Sequence, residues 1–198
     1  RMSFTLEHFY KSQKAEELSI NNYPGVDVSK NPNLTEQYIN NNLRLLHKNV
    51  VKPILNAFGS GNIRITSAYR CMELNEKLTP PGSPNSQHVF GLAVDKVCRG
   101  KSSADLFNWC YINLPNGWNQ LIWEYPENGD YVLGANESSS WLHVSWAENY
   151  NSNKTSVITA DENIHELYKT NYVYTERRGN ATHKIKLAEL ADSNSSFN

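Results

Sequence analysis

Ser86-Gln87-His88-Val89-Phe90-Gly91-Leu92-Ala93-Val94-Asp95 is the stretch on which the reading of this chain turns. From Leu92 onward it alternates as a strand does, with Leu92 and Val94 on one face and Ala93 and Asp95 on the other. Asp95 therefore points away from the apolar face. Gly91 and Ala93 are small and permit close approach of neighbouring chain. His88 lies on the loop that delivers the chain to this strand, punctuated upstream by Pro80, Pro81, Gly82 and Pro84. Much further along, Trp141-Leu142-His143-Val144-Ser145-Trp146 repeats the alternation, with Leu142 and Val144 towards a core and His143 opposite. Two such strands in one sheet would bring Asp95 and His143 to one face, beside His88. Two imidazoles and a carboxylate form a three-ligand set for zinc that leaves a fourth position to water. By spacing alone the same residues also fit an edge-strand aspartate and two unrelated histidines.

The rest of the composition is compatible with an enzyme. The chain has 198 residues, enough for one domain with a real core and an appendage. Its formal net charge of −1 calls for neither nucleic acid nor an anionic membrane surface. No apolar run approaches the ~20 residues of a spanning helix, so no membrane role is expected. The start, Arg1-Met2-Ser3-Phe4-Thr5, has no apolar signal-peptide core, and we expect synthesis in the cytoplasm. Cys71, Cys98 and Cys110 are odd in number and show no CxxC spacing, so they read as reduced, packed thiols. His8, His47, His165 and His183 lack supporting context. His165-Glu166 opens an HExxH pattern that fails at Lys169.

Along the chain, Phe4 to Ser19 reads as one or two short helices, and residues 21–33 as loop. Thr35 is a candidate N-cap, after which Ile39, Leu43, Leu46, Val50 and Ile54 mark the apolar face of a long helix. Pro53 should kink or break that helix, and Gly59 and Gly61 end it. Residues 62–67 read as a strand and 71–78 as a short helix. A helix capped at Ser102 or Ser103 runs to about Asn113. Residues 120–125, 131–133 and 141–146 read as strands of one sheet. We take 3–148 as the catalytic unit and 149–198 as an extension of unknown role. Within the extension, 149–155 reads as polar linker, 161–169 and 184–191 as short helices, and 192–198 as disordered.

The combined motif resembles the zinc D-Ala-D-Ala carboxypeptidase and phage endolysin family of peptidoglycan peptidases. The family pattern S-x-H-x-x-G-x-A-x-D is met by Ser86, His88, Gly91, Ala93 and Asp95, and its later W-x-H strand by Trp141 and His143. Upstream, Phe4-Thr5-Leu6, the helix 43–53 and Ile65-Thr66-Ser67-Ala68-Tyr69-Arg70 are similar to the family's N-terminal half. Gln120-Leu121-Ile122-Trp123-Glu124 is similar to its penultimate strand. The resemblance spans about residues 4–146. It implies an α+β fold of the hedgehog/D-Ala-D-Ala-peptidase type, a small antiparallel sheet flanked by helices. It also implies zinc held by His88, Asp95 and His143, and a peptidoglycan peptide as substrate.

Arg70, at the end of a strand, is placed to bind a substrate carboxylate or an oxyanion, with Tyr69 and Ser86 as further substrate contacts. The base departs from the family pattern. Many relatives carry an acid three residues before the last histidine ligand, or a histidine two before it; here these are Ser140 and Trp141. Glu124 on the adjacent strand is the first substitute and Glu137 the second. Lys96, where relatives carry an apolar residue, is harmless only if it points away from the site. The expectation is a monomeric zinc peptidase of phage or prophage type, acting on the cell wall after release or as part of a virion. The alternative is a non-catalytic cell-wall-binding or virion structural module that keeps the fold but lacks a base.

Overall fold

The computed structural model describes residues 5–99, 103–124 and 140–148, together with the backbone of four short strands between 154 and 186. Two short helices, α1 (Glu7–Tyr10) and α2 (Gln13–Glu17), open the chain. Helix α3 (Glu36–Leu46) starts where Thr35 accepts a hydrogen bond from the Tyr38 amide at 3.1 Å. That bond satisfies one of the amide groups every helix start leaves unpaired. A π-helical turn (His47–Val51) joins it to α4 (Lys52–Phe58). Pro53 has no N–H to offer the Asn49 carbonyl. The regular α-helix is interrupted at this wider turn just ahead of Pro53, as the expected break required, while helical backbone runs on into α4. Ile39, Leu43, Leu46, Val50 and Ile54 are all buried, as the periodicity required. Each such side chain contributes ~1.5–3 kcal/mol of transfer free energy. Gly59 closes α4 with φ of 84°.

The central sheet begins with β1 (Ile63–Ser67) and continues, after the short helix α5 (Met72–Glu76), with β2 (Ala93–Cys98). Helix α6 (Ser103–Asn113) and strands β3 (Gln120–Glu124) and β4 (Trp141–Ser145) complete the unit. In space the order is β1-β2-β4-β3, antiparallel throughout. This is the α+β arrangement expected, with helices against a small antiparallel sheet. Alternation sorts the residues of each strand. Val94, Leu121, Leu142 and Val144 are fully buried on the side where α6 packs through Leu106, Phe107 and Cys110. The other face is open. Register pairs Asp95 with His143 and His143 with Ile122, so Asp95 and His143 emerge side by side on it. A bulge in β1 between Ile65 and Ser67 lies opposite Asp95 and Lys96. Bulges re-aim side chains, and here both Thr66 and Ser67 reach the open face.

Gly91 secures the approach of the His88 loop to α3. Its φ is 67°, and a Cβ there would meet the Ile39 carbonyl oxygen at 3.1 Å. All three cysteines are buried free thiols, as expected.

Beyond residue 148 the structure departs from the sequence reading. Strand β5 (Lys154–Ile158) pairs parallel to β3, and β6 (Ile164–Leu167) pairs antiparallel to β5. Strands β7 (Val173–Arg178) and β8 (Ala181–Lys186) form a separate two-stranded sheet. The segments read as helices at 161–169 and 184–191 thus hold strands at 164–167 and 181–186, and 154–155 is strand rather than linker. A helix this short is marginal without packing. The free edge of β3 offers instead a ladder of unpaired amides and carbonyls. The expected strand at 131–133 and the expected disorder of 192–198 lie outside the described residues.

Candidate metal centre

Three side chains converge on the open face of the sheet. His88 Nε2 lies 3.2 Å and His143 Nδ1 3.0 Å from the same oxygen, Oδ1 of Asp95. The two imidazole rings meet edge to face with centroids 5.1 Å apart. All three residues are buried, and one ligand atom from each lies within 4.8 Å of the others. Among the described residues no other such group of three or more His, Cys, Asp or Glu forms. Burial alone would push the Asp95 carboxyl up, yet the two imidazoles hold it well below the usual carboxylate range.

The local chain explains this convergence. Ser86 to Leu92 folds as tight turns, with Val89 N–H donating to the Ser86 carbonyl and Leu92 N–H to the Gln87 carbonyl. Arg70 N–H donates to the His88 carbonyl at 3.3 Å, tying this loop to the end of β1. His88 Nδ1 sits 2.6 Å from the Ala68 carbonyl oxygen. A carbonyl only accepts, so Nδ1 carries a proton, and Nε2 is the nitrogen that would offer its lone pair to a bound metal. A second hydrogen bond of this kind is the usual support of a metal-bound histidine. Two imidazole nitrogens and one carboxylate, each with its donor atom turned to a common point, fit a zinc ion with an open fourth position.

A cleft of about 900 Å³ surrounds the cluster. Arg70, Ser86 and Glu124 line it, as do Arg64, Gln87 and Trp141. Arg70 is largely buried, and its Nε has no hydrogen-bond partner among the described residues. Burial lowers the Arg70 pKa, against the pull of Asp95 and Glu124. An orphaned guanidinium N–H in a cleft is suited to an anion brought by a ligand. Glu124 shares the face of His143 through its register with Trp141. Its carboxyl is pushed up to about 7, first by burial and next by Asp95, against the pull of His143, a Trp141 hydrogen bond and Arg70. A carboxyl tuned to neutrality is what a proton-transferring base requires.

The remaining expectations divide. Ser140, three residues before His143, is fully buried, and its hydroxyl accepts the indole N–H of Trp123 at 3.1 Å. It is a core residue and offers the cleft no base. Tyr69 does not line the cleft: it is buried in the core with its ring edge-on to Tyr10. The chain leaves strand geometry after Ser67, so alternation no longer says which way Tyr69 faces. Lys96 points away from the site and is buried on the α6 side. Glu137 lies outside the described residues.

Two contributors were not singled out from sequence. Asn22 donates to the carbonyls of Tyr10 and Tyr69 and accepts the amide of Cys71, so one side chain fixes the backbone on both sides of Arg70. Gln87 touches His143 directly, with Oε1 3.0 Å from Nε2. No local pattern marks Asn22, whereas Gln87 sits beside the motif histidine.

No curated protein and no solved structure matches the chain. A peptidase M15 family model matches residues 21–145, a span that holds the His88, Asp95 and His143 cluster together with Arg70 and Glu124. With more than half of its length matched and the buried His-Asp-His group in place, the chain belongs to the peptidase M15 family, hydrolases that in general depend on zinc.

Proposed function

We propose that this protein is a zinc-dependent peptidoglycan peptidase that hydrolyses a bond next to a D-amino acid in a stem peptide or cross-bridge. The observation that carries the reading is the convergence of His88 Nε2, Asp95 and His143 in a cleft lined also by Arg70, whose Nε has no partner among the described residues. His88, Asp95 and His143 would hold the ion. Zinc supplies two things when bound there: a water made acidic towards neutral pH and a polarised carbonyl. Arg70 binds the substrate carboxylate or the oxyanion through its planar fork. Glu124 takes the proton of the attacking water and returns it to the leaving amine. Ser86, which lines the cleft, contacts the peptide.

Glu124 is also what favours catalysis over a binding module. The sequence alternative rested on the missing acid at Ser140, and a carboxyl with the required proton affinity lies in the cleft on the next strand. Within this reading the enzyme acts as a monomer, on cell wall rather than nucleic acid or membrane. Resemblance to small phage-encoded and bacterial members supports a phage or prophage origin, with action after release or from a virion. Among the described residues no helix is long and apolar enough to cross a membrane. Turbidity loss of purified cell walls tests the function. The reading predicts lysis that chelator stops and zinc restores. A chain that binds zinc but releases no peptide from any cell wall would favour the module instead.

A further inference from the structure

We propose that Gln87 is the positioning residue of the metal centre, its side-chain carbonyl fixing the ring of His143 so that Nδ1 faces the ion. The inference rests on the zinc reading above. His143 has two ring nitrogens with different partners. Nδ1 is 3.0 Å from Asp95 Oδ1, the point at which His88 Nε2 also arrives. Nε2 is 3.0 Å from Gln87 Oε1. A neutral imidazole has one proton, and a metal needs the lone pair of the other nitrogen. Since Nδ1 belongs to the converging set, Nε2 must carry the proton, and Gln87 Oε1 must accept it.

The amide of Gln87 has a reason to present oxygen rather than nitrogen. Its own Nε2 faces Asn119 Oδ1 at 3.5 Å, the outer limit of a hydrogen bond. Rotation of the amide would set donor against donor at His143 and acceptor against acceptor at Asn119. Asn119 is anchored in turn, its backbone N–H donating to the Ser145 carbonyl at 2.8 Å. The backbone carbonyl of Gln87 is held by the Leu92 amide at 2.9 Å. The two histidines are thus steered alike. The Ala68 backbone carbonyl does it for His88, and a side chain does it for His143. Only the second is open to substitution.

Removing such a support typically weakens metal affinity ~10–100-fold. The test is chelator competition for zinc on the full chain, with two variants. Gln87→Met keeps length but offers no acceptor, and should bind zinc ~10–100-fold more weakly. Gln87→Glu keeps an acceptor oxygen and should bind as tightly as the parent or better. Parent-like affinity in Gln87→Met would overturn the proposal, and so would equal losses in both variants, which would show a packing role. A readout on the unaltered, zinc-loaded chain does not depend on either variant folding. Long-range proton–nitrogen spectra of the His143 ring should show the proton on Nε2; a proton on Nδ1 would overturn the proposal. A parent chain that takes up no zinc would instead overturn the metal reading and this inference with it.

Discussion

His143 and Leu142 are neighbours on β4, yet one faces the cleft and the other is sealed on the α6 side. The same division runs through β2, where Asp95 faces the cleft while Val94 and Lys96 face away, and through β3, where Glu124 opposes Leu121 and Trp123. Successive Cβ atoms on a strand point to opposite faces, so chemistry and core are separated by single residue steps. The two faces should then respond differently to substitution. Lys96 is the exception that tests the rule. It is a fully buried amine on the core side, with no hydrogen-bond partner among the described residues, and burial pulls its pKa down to about 8.

The sharpest contrast is between His143→Ala and Leu142→Ala. The first should abolish zinc retention and hydrolysis; it also leaves the buried Asp95 with one imidazole fewer, at a cost of about 1–3 kcal/mol to an apoprotein that still folds. The second should cost ~2–5 kcal/mol, and the molecules that remain folded should still take up zinc. Denaturant unfolding and metal analysis on both variants would decide it. A His143→Ala protein that fails to fold, or a Leu142→Ala protein as stable as the parent, breaks the division.

Glu124→Gln should keep zinc and fold but lower kcat/KM ~10²–10⁴-fold on a cell-wall peptide. The same substitution carries a signature in the apoprotein. The Glu124 carboxyl titrates near 7 when folded, so over the window from ordinary carboxylate pKa values to that point the folded state binds more protons than the unfolded. Stability attributable to this group is therefore highest at acid pH and falls as pH rises through the window. Urea unfolding at about pH 5 and about pH 8 should show that slope in the parent and less of it in Glu124→Gln. Equal slopes would remove Glu124 from its buried setting.

Lys96→Met should stabilise the chain. The folded lysine releases its proton near 8 and the unfolded one near its ordinary value, so the unfolded state holds more protons in between. Stability must rise with pH across that interval, and the cost at neutral pH is on the order of 3 kcal/mol. Thermal unfolding of Lys96→Met should show part of that amount recovered and the alkaline rise gone. A destabilised variant would mean that the amine is satisfied in a way the geometry does not show. The smallest effect is expected of Arg70→Lys, which keeps charge but loses the fork. It should lower kcat/KM by at least ~10-fold, about 1.4 kcal/mol, with zinc retained. Unchanged turnover would place Arg70 outside the reaction.

What could be read from sequence followed the reach of local physics. The alternations at 92–95 and 141–146 indicate which side of the sheet Asp95 and His143 occupy, and Thr35 marks the start of α3. Tyr69 packs into the core rather than the cleft, and its amide bonds the carbonyl of Phe9, a distant residue that no local pattern links to it. The partner strand of β5 is β3, far away in the chain, so no local pattern at 154–167 could announce the pairing. Gln87 and Asn22 act through contacts with residues 56 and 47 positions away respectively, which no spacing rule links. The role of Lys96 depends on the packing of α6 over β2, again a tertiary fact.

Zinc content of the purified parent and of His88→Ala, measured beside cell-wall hydrolysis in the same samples, tests the central claim most directly. The parent should hold stoichiometric zinc and lyse cell walls, and the variant should do neither. Stoichiometric zinc retained in His88→Ala, or lysis by a metal-free parent, would contradict it.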